Sequence, residues 1–182
     1  MRPGGPLPNV SPARKGWDNL GNIAERRRCG ATCYLARHSF SNNYVHAIYS
    51  TKGRRDLISA EREAKLYSFV ASLARKHAIP LLAAGGMADH SHFLFLLPAT
   101  ISLASVINLF KANSSCFMHQ HDPKFARQNG YGAFSVSQSQ LDEVTAYINN
   151  QREHHKKMTF EQEFLALLKK TGVAYDPQYV FG

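Results

Sequence analysis

The chain of 182 residues is short of cysteine, of acidic charge and of long apolar runs. Three cysteines, Cys29, Cys33 and Cys116, cannot build a disulfide framework for a chain this size, and no Cys-x-x-Cys pair marks a structural zinc site. Nowhere do 18 consecutive apolar residues occur, so a membrane-spanning helix is not expected, and the opening MRPGGPLPNVSPARKG lacks the apolar segment of a secretory signal. The expectation is a soluble, cytoplasmic protein with no membrane partner. Internal repeats of the kind that build solenoids are also missing. Asp and Glu number 13 against 22 Lys and Arg, a formal net charge of +9. That imbalance makes a polyanion the expected partner, but it argues for association and not for a fold.

What is present suffices for one folded domain: 44% of residues are apolar and only 19% are charged, a composition that excludes general disorder. The charge is unevenly spread. Residues 1–42 hold seven basic residues against two acidic ones, so +5 of the +9 lies there. The chain divides into a basic, Pro- and Gly-rich extension over 1–42 and a domain over 43–182. The extension reads either as an arm that grips phosphates or as a flexible leader without a role.

Periodicity supplies the element order. YVHAIYST from Tyr44 is β-branched and aromatic and ends at the turn-like Lys52-Gly53-Arg54-Arg55, which predicts a strand. Residues 60–77 carry Leu66, Phe69, Val70 and Leu73 at helical spacing, with acids first and bases last. AIPLLAAGG and HSHFLFLLP, joined by GGMAD, have the pattern of antiparallel strands. Leu103, Val106, Ile107, Phe110 and Phe117 form a second helical stripe, and GYGAFSVS predicts a fourth strand. Helices follow over 138–153 and 159–170, the latter opened by Thr159 and Gln162 in a capping-box pattern. The order predicts an α+β fold: an antiparallel sheet with helices on one face, laid out like ferredoxin and RRM domains.

Two His-x-His triplets occur, and context separates them. His90 and His92 begin an apolar strand, where side chains at i and i+2 point to the same face, so both imidazoles can share one metal ion. His119 and His121 lie beside Asp122-Pro123 and read as a solvated loop. A His pair on a strand is by itself as readily structural. The helix from Gln138 adds Tyr147 and Gln151 at i and i+4, one turn apart on one side. A phenol is a nucleophile and an amide oxygen a neutral hard ligand, so two imidazoles, an amide and a tyrosine make a coherent set for phosphodiester chemistry. Taken alone, Tyr147 equally serves packing.

These motifs resemble the HUH single-tyrosine transposases of the insertion-sequence 200/605 type, in particular their REP-associated branch. The resemblance rests on STKGRR after the first strand, ADHSHFLF, GYGAFSVS, AYINNQREHH and the closing FEQEFLALLKKTGVAYDPQYVFG, and covers about three quarters of the chain. The middle position of the His triplet, usually hydrophobic in the family, is Ser91.

The resemblance implies that His90, His92 and Gln151 are ligands of Mg²⁺ or Mn²⁺ and that Tyr147 is the nucleophile. Three neutral ligands leave the full charge of the cation for the phosphate, whereas carboxylates would blunt it. A free phenol is only about 0.1% ionised at pH 7, so its deprotonation needs help; no dedicated base stands out, and His154 is a candidate for proton transfer. The implied reaction is cleavage and rejoining of hairpin-bearing single-stranded DNA through a 5′-phosphotyrosine, with a free 3′-hydroxyl left behind. Lys52, Arg54, Arg55, Lys111, Tyr131 and Arg152 are candidate DNA contacts, and solvated surface roles are open for each. Family members form homodimers or act alone, which the sequence leaves open. Two other readings remain: a nucleic-acid-binding module that uses no metal, and a metal-dependent nuclease in which water attacks.

Overall fold

The computed structural model describes residues 41–181, so the expected basic extension falls almost wholly outside the described residues. The elements run β1 (Tyr44–Ser50), α1 (Ala60–Lys76), β2 (Leu81–Gly86), β3 (His90–Leu96), α2 (Leu103–His119), β4 (Gly132–Val136), α3 (Leu141–Asn149), α4 (Gln151–His154) and α5 (Phe160–Thr171). The strands form one sheet in the order β2-β3-β1-β4, with every neighbouring pair antiparallel. This is the expected α+β, ferredoxin-like arrangement.

The helices, expected on one face, occupy both. Val45, Ala47 and Tyr49 of β1 and Phe93 and Phe95 of β3 pack with Leu66 and Val70 of α1 and Val106, Ile107 and Phe110 of α2. The alternate residues point the other way: Leu94 meets Leu141 and Ile148 of α3, while Ile48 and Phe134 meet Phe164 and Leu168 of α5. A helical stripe reports that a face is apolar and not which side of the sheet it covers. The two central strands carry the signal. All but the first residue of β1 and the last of β3 are buried, as sheets covered on both sides require.

The expected helix over 138–153 is also interrupted. It opens as a 3-10 turn at Gln138–Gln140, and Asn150 sits at φ −104°, ψ 24°, so Gln151 starts a separate turn. Asn competes with the helical backbone for hydrogen bonds and favours such breaks. Glycine controls how closely this segment meets the sheet. A Cβ on Gly85 would collide with the Ile148 carbonyl oxygen, so only glycine lets the α3 backbone reach β2 there. Gly85 pairs with His92 across β2 and β3, which sets α3 beside the histidine end of the sheet.

α5 is fixed at its start by the expected capping box. Thr159 accepts from the Gln162 amide at 3.3 Å, and the Gln162 side chain accepts from the Thr159 amide at 3.1 Å. Phe160, Phe164 and Leu168 hold it against the sheet.

Candidate active site

His90 and His92 leave β3 on the same face and are fully buried. Each ring is oriented by a second residue. His90 Nδ1 donates to the Asp89 carboxylate at 2.7 Å, which leaves the Nε2 lone pair free. His92 Nδ1 lies 3.0 Å from Nε2 of His46 on β1, and His92 Nε2 is buried with no hydrogen-bond partner. When His92 donates this proton to His46, its Nε2 also presents a lone pair. Burial, with His90 and His46 next, holds the His92 pKa well below the usual histidine value. Burial also lowers His46, to about 4, although the charge of Glu163 opposes it. Both rings are therefore neutral at pH 7, as metal ligands must be.

Tyr147 and Gln151 arrive from the helical segment as the spacing predicts. The Tyr147 ring stands edge-on to His92, with centroids 5.8 Å apart, and to His46 at 6.0 Å. Gln151 is buried, its Oε1 is 3.1 Å from His155 Nε2, and its amide nitrogen donates to the Tyr147 carbonyl and to Glu163 Oε1, each at 3.3 Å. The four residues singled out in the sequence thus meet within one chain.

Sequence reasoning missed the residue at the centre of the group. Glu163 of α5 is 2% exposed and accepts a hydrogen bond from the Tyr147 hydroxyl on Oε1. His92 Nε2 lies 3.7 Å from that same oxygen, and His90 Nε2 lies 3.7 Å from Oε2. His155 was missed as well. Its Nδ1 donates to the Met158 carbonyl at 2.9 Å, and its Nε2 sits 3.1 Å from His90 Nε2 and 3.2 Å from Glu163 Oε2. Both had a signal. Glu163 is an acid three residues after Phe160 and four before Leu167, on the apolar face of its helix, and His155 follows Gln151 by four.

The charges explain each other. Burial alone would raise the Glu163 carboxyl, but the His155 ring, the Tyr147 hydroxyl and the nearby His90 hold it below the usual carboxylate range. Burial alone would lower His155, and the Glu163 carboxylate beside it reverses that and raises it. Burial, followed by Glu163, pushes the Tyr147 phenol well above its ordinary value, so at neutral pH it stays protonated. A solvent-facing cavity of about 230 Å³, lined by His46, Val144, Tyr147, His154, Glu163 and Lys170 among others, gives access to the hydroxyl.

The donor set fits a divalent cation. His90, His155 and Glu163 offer ligand atoms within 4.8 Å of one another, and His92 Nε2 and Glu163 Oε2 are among the buried polar atoms without a hydrogen-bond partner. The expectation of an all-neutral ligand set meets a carboxylate here. The His154 ring stands edge-on to the Tyr147 ring with centroids 5.0 Å apart, yet the hydroxyl donates to Glu163 instead.

The candidate DNA contacts are scattered by comparison. Lys52 and Arg55 are exposed beyond β1, and Arg55 Nε donates to the Lys52 carbonyl at 3.2 Å. Arg54 pairs with Glu161 at 2.8 Å and stacks over Phe181 at 4.9 Å. Lys111 donates to the carbonyls of Gln128 and Gly130, at 2.9 and 2.5 Å, and so ties α2 to that loop. Arg152 pairs with Glu63 at 2.5 Å. Tyr131 is 44% exposed and borders an aromatic cavity of about 240 Å³ with Phe160, Phe164, Tyr175 and Tyr179. Phe134 packs in the core; His119 and His121 are exposed, as expected, although His119 closes α2 and only His121 lies in the loop beyond it.

Comparison with known proteins bears on the family and the fold. The family model for IS200-like transposases matches residues 39–151. The transposases for insertion sequence element IS200 of Salmonella typhimurium and Salmonella typhi are each 27% identical over 127 residues, 65% of this chain and 83% of theirs. Among solved structures, one from Deinococcus radiodurans R1 described as a transposase has a TM-score of 0.53 at 21% identity, covering 63% of this chain and 95% of that one. A REP-associated tyrosine transposase bound to a REP hairpin has a TM-score of 0.52 at 15% identity, covering 77% and 90%. These two share the fold, and the family match spans more than half of the sequence: the chain belongs to the IS200-like transposases.

Proposed function

We propose that this transposase cleaves and rejoins single-stranded DNA by attack of the Tyr147 hydroxyl on a phosphodiester. One observation carries the reading: the Tyr147 hydroxyl is held on Glu163, the same carboxylate that lies within 3.7 Å of His90 and His92. A divalent cation, Mg²⁺ or Mn²⁺, bound by His90, His92 and Gln151 would polarise the scissile phosphate and stabilise charge on its oxygens. Tyr147 forms the new P–O bond, the bond to the 3′ oxygen breaks, and a 5′-phosphotyrosine and a 3′-hydroxyl result. The phenolic proton has an acceptor in place, Glu163 Oε1. Because the bond to Tyr147 is itself a phosphate ester, a second 3′-hydroxyl can reverse the step and join new ends without ATP.

The partner follows the same line. A hairpin-bearing single strand is the substrate class, as the hairpin bound to the REP-associated relative and the excess of +9 support. The cavity beside Tyr131 offers aromatic faces on which an unpaired base can stack.

Incubation of the full chain with a labelled hairpin oligonucleotide and Mn²⁺ should give an adduct that survives denaturing electrophoresis, and Tyr147→Phe should abolish it. An adduct that persists in the variant removes Tyr147 as nucleophile. Cleaved ends without any adduct would instead establish the water-using nuclease.

A further inference from the structure

Four acceptor-type atoms crowd one point beside the expected ligands. His155 Nδ1 spends its proton on the Met158 carbonyl, so in the neutral ring Nε2 is a lone pair. That lone pair faces His90 Nε2 at 3.1 Å, Gln151 Oε1 at 3.1 Å and Glu163 Oε2 at 3.2 Å, and the His90 proton is likewise committed, to Asp89. Lone pairs at such distances repel unless a positive charge lies among them, either a second proton on His155 shared with the Glu163 carboxylate or a metal ion. Imidazole nitrogens, an amide oxygen and a carboxylate oxygen are together a ligand set for a first-row divalent ion. The family model's match ends at Gln151, short of His155 and Glu163.

We propose that His155 and Glu163 are further protein ligands of the divalent cation, and that Glu163 links cation and nucleophile, with Oε2 on the metal and Oε1 on the Tyr147 hydroxyl. The two oxygens already divide in this way: Oε1 accepts from Tyr147, and Oε2 has no hydrogen-bond partner. One carboxylate leaves a single positive charge on the centre, enough to pair with a phosphodiester monoanion. A tyrosine fixed through a metal ligand keeps its oxygen beside the phosphate that the metal holds, which is where positioning accelerates the reaction.

This inference rests on the metal-assisted reading above, and calorimetric titration of Mn²⁺ into the metal-stripped full chain separates the two. Wild type, Glu163→Gln, His155→Phe and His92→Ala are compared. The expected result is at least tenfold weaker Mn²⁺ binding in all three variants. Wild-type binding in Glu163→Gln or His155→Phe, with loss in His92→Ala, overturns the added ligands and leaves the metal centre standing. Wild-type binding in all three removes the centre itself. At saturating Mn²⁺, Glu163→Gln should form the covalent adduct at least tenfold more slowly with unchanged hairpin affinity, and an unchanged rate overturns the link to Tyr147. If a variant shows no cooperative thermal transition, the wild type decides: Mn²⁺ should broaden the Glu163 carboxyl carbon resonance beyond detection, and a sharp resonance at saturation overturns the proposal.

Discussion

His46 and His92, both buried, tie the protein's stability to acid, and His46 shows how. In the unfolded chain it titrates near the ordinary histidine value of 6.5, whereas in the folded protein it is held at about 4. Between those values only the unfolded chain takes up the proton, so stability is lost as pH falls through that window. His92, lowered by burial and its histidine neighbours, acts in the same direction. His155 is raised, so its contribution is present below the ordinary value and is lost as pH rises through its folded value. Two deeply buried rings outweigh one partly exposed ring, and the melting temperature should fall from pH 7 to pH 5. At roughly 1.4 kcal/mol per pH unit below the unfolded value, His46 alone accounts for a loss on the order of 2 kcal/mol over that interval. Thermal melts across this range check the sign, and His46→Leu should flatten the profile.

Among the elements, α3 and α5 decide whether the site exists, because they carry Tyr147 and Glu163 and neither is tied to the sheet by strand pairing. Gly85 sets the approach of α3. Gly85→Val would drive its side chain into the Ile148 carbonyl oxygen, and helix or strand must yield. The expected cost is about 1–3 kcal/mol in denaturant unfolding, with adduct formation reduced at least tenfold even in the folded fraction. The start of α5 offers a milder change. Thr159→Ala removes the acceptor for the Gln162 amide and should destabilise by about 1 kcal/mol. Because Glu163 is the next residue along, a loosened first turn should also weaken Mn²⁺ binding, a coupling that a parallel calorimetric titration reads.

Across the molecule, the sheet separates two environments. One face is an apolar core under α1 and α2, and the other, under α3 and α5, buries polar chemistry. An RRM-type reader leaves its second face open for bases to stack. Here that face is largely covered, which argues against the metal-free binding module. Charge divides differently, with most of the excess in residues 1–42. If the extension grips phosphates, Arg26→Ala, Arg27→Ala and Arg28→Ala combined should lower the slope of log affinity against log salt by about 2, given roughly 0.7 per contact on single strands. An unchanged slope in a fluorescence-anisotropy titration assigns the extension no share of binding.

Read alone, the order of residues specifies the strands and helices, the shared face of His90 and His92, and the one-turn spacing of Tyr147 and Gln151. All follow from periods of two or 3.6 residues, which are local properties of the backbone. The two capping residues of α5 were legible from their Thr-x-x-Gln spacing. Three features needed the folded chain: helices covering both faces, the break at Asn150, and the entry of Glu163 and His155 into the cluster. Periodicity gives a residue's direction from its own element and says nothing of what lies opposite. Glu163 meets His90 and His92 only because α5, some 70 residues beyond them, folds back over the strand that carries them.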